Sequence, residues 1–247
     1  MTNSNLVIIK KKGGRKMVEY IEAIKKPFSD LKTLGIGSII AAIPLVNLLV
    51  SGYGAATAQD VLKKKNKLRE WKLNDLKDYI IKLLIVLVIQ ITYVIIPIII
   101  ILAGIGTAIA TALPTILNSA GDPTAIVNSL MPSIIAGGPI ILIGGLLLLV
   151  SAFLAPIATM KWIKKDKLGA AFEIGKVVKN ALTIDYILSL IVIFGYTIIL
   201  GLLVGIITGI LALIPVIGWV LALIITGGMT FALTTTQFTI LAQVVKD

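Results

Sequence analysis

Histidine and cysteine are missing altogether from the 247 residues. Without cysteine there is no disulfide, no thiolate nucleophile and no cysteine-bearing zinc site. Without histidine there is no imidazole acid–base chemistry. Most nucleophilic triads and metallohydrolase centres need one or the other. No Gly-rich phosphate loop, kinase signature or Ser-xx-Lys dyad occurs either, so the chain reads as non-enzymatic, with no cofactor and no metal. Charge is also scarce: Asp, Glu, Lys and Arg make up 14% of the sequence. No Lys or Arg lies between Leu83 and Met160, or between Asn180 and Val245.

Apolar sequence fills the space. The hydrophobic fraction is 57% and the mean hydropathy is +1.03, against about 45–50% apolar residues in soluble domains. The excess comes in long uncharged blocks, which defines an all-α, polytopic transmembrane helical bundle. The net charge of +11 could point to nucleic acid, but the lysines and arginines gather in patches at Lys10 to Lys32, Lys63 to Lys82 and Lys161 to Lys179. Such flanks are what the positive-inside rule produces. The expected partners are the lipid bilayer, with anionic headgroups at the basic inner loops, and a protein partner or a second copy, not nucleic acid.

The spacing predicts about six embedded helices, near 31–43, 45–62, 79–104, 134–158, 184–213 and 216–243, in one membrane domain over 17–247. An outside loop is expected at 114–133, where no basic residue occurs. Asp122-Pro123 within it marks the cap and first turn of a short helix. Inside loops are expected at 63–78 and 161–183. Residues 1–16 form a basic tail expected to be disordered. Gly13-Gly14 ahead of Met17 reads as a translated ribosome-binding sequence, which makes Met17 the expected native start; the intact mass of the natural protein tests this. Met17 to Lys26 and Ala170 to Leu182 read as basic amphipathic interfacial helices.

The stretch Leu34 to Leu62 carries Ile43-Pro44 at its middle. It is either one kinked span or a hairpin turning at Pro44. Lysine-rich flanks on both sides favour the hairpin. Its first arm, Asp30 to Ile43, rises only about 21 Å at 1.5 Å per residue, against a core of about 30 Å, so it either just spans or is re-entrant. Ile214-Pro215 marks a second hairpin turn. The segments Tyr20 to Ile40 and Phe172 to Ile191 share a pattern: a basic amphipathic run, an Asp (Asp30, Asp185), an apolar helix and then an Ile-Pro pair.

Ile24-Lys25-Lys26-Pro27-Phe28-Ser29-Asp30, Ile43-Pro44, Gly52-Tyr53, Leu68-Arg69-Glu70-Trp71 and Asp75-Leu76 together resemble an archaeal membrane-protein family known as domain of unknown function 4013. The pattern covers Met17 to about Pro97; beyond that the similarity is mainly one of hydropathy. Arg69 stands where family members tend to have Pro, and the polar connection after Trp71 is shorter. The resemblance implies membrane placement and an archaeal source, with no activity, ligand or catalytic residue attached.

The membrane stretches offer few polar side chains. Asn47, Gln90 and Gln237 form the candidate polar membrane site, with Asn47 foremost because a helix broken at Pro44 exposes carbonyls to an ion. Gly201, Gly205 and Gly209 repeat at i, i+4, i+8, a close-packing stripe expected to face Thr226, Thr230 and Thr234. Trp71, Trp162 and Trp219 are expected at the membrane interface. Two functions fit: a non-enzymatic scaffold or assembly partner in the cell membrane with both termini cytoplasmic, or a small transporter or channel for a neutral solute or ion.

Overall fold

The computed structural model describes residues 18–65, 67–118 and 122–246, so the tail expected at 1–16 lies outside the described residues. Among these residues eight α-helices follow in order: α1 (Tyr20–Lys25), α2 (Leu31–Ala42), α3 (Leu49–Leu62), α4 (Leu76–Asn118), α5 (Pro123–Lys165), α6 (Ile174–Ala181), α7 (Ile184–Leu211) and α8 (Ile217–Val244). Short 3-10 turns join them, and no strand occurs among the described residues.

Local chemistry sets each boundary. Asp30 caps α2: its carboxylate accepts from Lys32 N–H at 3.0 Å, Thr33 N–H at 3.4 Å and the Thr33 hydroxyl at 2.7 Å. Pro44 forces Ile43 out of the helical region, and α2 stops there. The α3 helix closes with a Schellman turn. Lys64 N–H donates to Val61 O at 2.9 Å and Lys65 N–H to Asp60 O at 2.9 Å, and Lys64 itself sits at φ 61. Asp122 caps α5, accepting from Thr124 N–H at 2.9 Å, and Thr183 caps α7.

The helices pair into three hairpins, α2/α3, α4/α5 and α7/α8. The first and last share a tip built as Ile-Pro-X. Leu45 after Pro44 has φ 67 and Val216 after Pro215 has φ 63. Ile217 N–H donates to Pro215 O at 2.8 Å, closing a γ-turn around Val216. The two Asp residues of the repeated pattern differ in role: Asp30 caps a helix, whereas Asp185 pairs with Lys246 at 2.9 Å.

Among the described residues, four helices are long and apolar enough to cross a membrane: Leu73–Asn118, Ile126–Lys165, Ile184–Leu211 and Ile217–Val244. The expected six resolve into these four and one short hairpin. The α2 and α3 arms, of 12 and 14 residues, rise about 18 and 21 Å, less than the hydrocarbon core of about 30 Å. The expected loop at 114–133 is largely helix. The α4 and α5 helices each run 43 residues and carry Pro97, Pro114, Pro132, Pro139 and Pro156 inside them. Proline is tolerated in apolar surroundings, where the helix is the only way to satisfy the backbone. Each of these helices rises about 65 Å, roughly twice that core.

Glycine decides where backbones meet. A Cβ on Gly227 of α8 would lie 2.1 Å from Ser38 O of α2, and one on Gly52 of α3 would lie 2.0 Å from Tyr79 O of α4. Along α4/α5, Gly104, Gly137 and Gly144 allow the same approach. Thus α8 lies against α2, α3 and α7, while α5 pairs along the length of α4. The amphipathic lead-in is shorter than expected, and its buried residues are Ala23, Lys26 and Pro27. Ile21 and Phe28 point outward, 69% and 46% exposed, because the small residue is what fits beside α8.

Candidate functional site

Among the described residues, basic side chains from the turn after α1, the end of α3 and the end of α5 meet at one end of the bundle. There, residues quoted above for their family resemblance form a single knot. The Tyr53 ring stacks on Trp71 with centroids 4.5 Å apart. Tyr79 meets both edge-on at 5.7 and 5.1 Å, and Phe231 of α8 closes the cluster 5.3 Å from Tyr53. The two hydroxyls hold the α3–α4 connection by its carbonyls: Tyr53 donates to Arg69 O at 2.5 Å and Tyr79 to Glu70 O at 3.3 Å. The Arg69 guanidinium lies 5.5 Å from the Tyr79 ring centre and reaches Asp60 at 3.4 Å, Asp75 at 3.2 Å and Asp78 at 3.6 Å. Lys82 pairs with Asp78 and Lys65 with Asp60. Arginine's planar fork suits several carboxylates at once, so Arg69 acts as the keystone of this connection.

A second group of lysines closes α8. The ammonium of Lys161, buried at 1% exposure, donates to Lys246 O at 3.4 Å, and Lys164 donates to Val245 O at 3.2 Å. Cations are favoured at a helix C-terminus, where carbonyls lack intrahelical partners. Lys246 N–H donates to Asn180 Oδ1 of α6 at 2.7 Å, and Glu173 joins Lys176 at 2.8 Å and Lys165 at 3.2 Å. The hydrogen bonds from Lys176 and Lys165 hold the Glu173 carboxyl below the usual carboxylate range.

Between these groups lies a cavity of about 540 Å³. Its walls come from α1 and the turn after it, the end of α3, the end of α5 and the end of α8. Lys26 is 8% exposed. Burial pushes its ammonium below the ordinary lysine range, opposed by the charge of Asp60. A shallower recess of about 310 Å³ lies over the Arg69 ion pairs.

The three residues of the expected polar membrane site lie on three different elements. Asn47 sits in the turn after Pro44, its N–H donating to Ile43 O at 2.9 Å. Gln90 on α4 donates to the Thr159 hydroxyl of α5 at 3.5 Å, and Gln237 lies on α8. None of the three lines either cavity. The glycine stripe needs correction too. A Cβ at Gly201 would touch Met229 at 3.5 Å, whereas Gly205 and Gly209 face open space, because α7 turns most of that face away from α8. Of the tryptophans, Trp219 is exposed, Trp71 is stacked in the knot and Trp162 is buried at 4%. Sequence reasoning missed the lysines as a site, since periodicity places Lys26, Lys64 and Lys164 on three separate elements; their shared sign and their positions at helix ends were the available signal.

Neither the curated proteins nor the solved structures contain a match to this chain. One family does match, over residues 36–212, which takes in the Pro44 turn and the Tyr53, Arg69 and Trp71 knot and continues to the end of α7. That match covers most of the chain, and the chain belongs to the family described as "Protein of unknown function (DUF4013)".

Proposed function

We propose that the chain is a non-enzymatic scaffold or assembly partner in the cell membrane, its basic end and both termini cytoplasmic. One observation carries the reading: although α8 lies against α2 and α3, most of α7 and the far part of α4 bury little against other helices. The buried residues of the 28-residue α7 are Tyr186 and Ser189, both near its start. Leu202 and Ile206 are 63% and 64% exposed. On α4 the buried residues beyond Ile89 are Pro97 and Gly104, at the contact with α5. Long apolar flanks of this kind offer neighbouring helices or lipid a lateral surface.

Gentle extraction from the native membrane followed by native mass spectrometry tests it. A second protein at fixed stoichiometry, lost when Leu202→Trp and Ile206→Trp add bulk to α7, supports the reading. A homo-oligomer carrying a small solute, indifferent to those changes, overturns it. The transporter reading draws on the α2/α3 hairpin, whose non-helical break at Pro44 is the geometry used by ion-coordinating broken helices. Its test is solute flux in proteoliposomes, lost on Asn47→Ala.

A further inference from the structure

The cavity at the basic end has features that packing does not account for. Lys26 is nearly buried, yet its ammonium has no hydrogen-bond or ion-pair partner within reach among the described residues, and it lines the cavity. Across from it on α8, Thr239 is 3% exposed, and its hydroxyl also has no partner among the described residues. Thr239 lines the same cavity. A buried hydroxyl left unsatisfied carries a desolvation cost that a ligand with acceptor oxygens removes, and Lys26 brings a cation to the same lining.

The remaining charges define that ligand. Lys64, Lys65 and Lys164 join Lys26 in the lining, and Glu19 and Glu22 oppose them. Lys65 is engaged by Asp60 at 3.1 Å. Lys164 gives a hydrogen bond to Val245 O. Four lysines face two glutamates in the lining, a balance that favours an anionic ligand. A phosphate also has enough acceptor oxygens for several ammonium groups and a hydroxyl at once.

We propose that this cavity binds a single phosphate group, with Lys26 and Thr239 at its floor and Lys64 and Lys164 at its mouth. The phosphate belongs to an anionic lipid headgroup or to a soluble phosphate ester; the chemistry is shared and the sources are separable. The site is independent of the scaffold reading, since it needs no partner protein.

The test uses the full chain in an uncharged maltoside detergent, with native mass spectrometry and thermal unfolding as readouts. The probes are dioctanoyl phosphatidylglycerol, dioctanoylglycerol as its phosphate-free counterpart, and inorganic phosphate. The expected result is saturable one-to-one binding of phosphatidylglycerol, no binding of dioctanoylglycerol, and a loss of about tenfold in affinity for Lys26→Gln and for Thr239→Val. Lys64→Gln, at an exposed position, leaves the unfolding temperature unchanged and weakens binding. Lys77→Gln, an equal loss of charge outside the cavity, leaves binding unchanged. Binding of phosphatidylglycerol that inorganic phosphate does not displace assigns the site to a lipid headgroup. Displacement by inorganic phosphate at equal affinity assigns it to a soluble phosphate. Equal binding of dioctanoylglycerol, absence of saturable phosphate binding, or a Lys64→Gln protein that behaves like Lys77→Gln overturns the proposal.

Discussion

Asp30 and Gly227 show how single residues set the frame. The Thr33 hydroxyl and two backbone N–H groups hold the Asp30 carboxyl below its ordinary range. The sign follows from linkage: the capping contribution is fully present above the ordinary carboxylate value and is lost as pH falls through the depressed one. Hydrogen exchange of the first α2 amides is therefore expected to rise as pH falls through the depressed value, after correction for the intrinsic pH dependence. In Asp30→Asn that corrected rise should be absent. Glycines divide by what lies opposite. Gly227→Ala drives a Cβ to 2.1 Å from Ser38 O and is expected to destabilise the fold by about 1–3 kcal/mol. Gly205→Ala meets nothing within 4 Å and should change stability by about 0.5 kcal/mol or less. Thermal unfolding in detergent compares the two. The i, i+4, i+8 spacing at Gly201, Gly205 and Gly209 was visible in the sequence, but spacing alone does not say which face meets a neighbour. The glycines that do meet backbone, such as Gly52 and Gly227, carry no such stripe.

At the level of elements, the two Ile-Pro-X tips are the clearest correspondence within the chain. Leu45 and Val216 occupy positive φ, a region that costs a non-glycine residue about 1–3 kcal/mol and is most strained for a β-branched one. Val216→Gly is expected to raise the unfolding temperature, and Leu45→Gly to do so less. A fall in either case would show that the side chain contributes more at the tip than the backbone loses. The Ile-Pro pairs were legible as breaks because proline restricts the residue before it. The length of α4 and α5 was not legible. Pro114 and Pro132 read as loop punctuation, yet α4 and α5 run through them.

Among the described residues, lysines from distant parts of the chain gather at one end of the molecule. The membrane class followed from composition, and the charge rule placed the basic loops together. The converging lysines lie 38 residues apart from Lys26 to Lys64 and 100 from Lys64 to Lys164, so their meeting is a property of the tertiary fold. With no native cysteine, single cysteines at Glu19, Lys72 and Lys176 should all react with a membrane-impermeant maleimide from the same side of sealed vesicles. Labelling of any one from the opposite side would break the shared-end arrangement. A cysteine at Leu45, at the tip of the short hairpin, should stay unlabelled from both sides.

The seating of α2 and α3 on α8 has a consequence for biosynthesis. Gly37 and Tyr53 face Phe231, Gly54 faces Phe238, and Ser38 backs onto Gly227. All three partners belong to α8, which is made after both arms. A hairpin too short to cross the bilayer has only its contacts with the start of α4 to hold it while it waits, since its contacts with α8 close after α8 is made. A nascent chain arrested after Ala212 should therefore expose the α2/α3 turn to protease, and one arrested after α8 has emerged should protect it. Protection of the shorter arrest product would mean that the hairpin docks first on α4 and that α8 fits itself to a site already made.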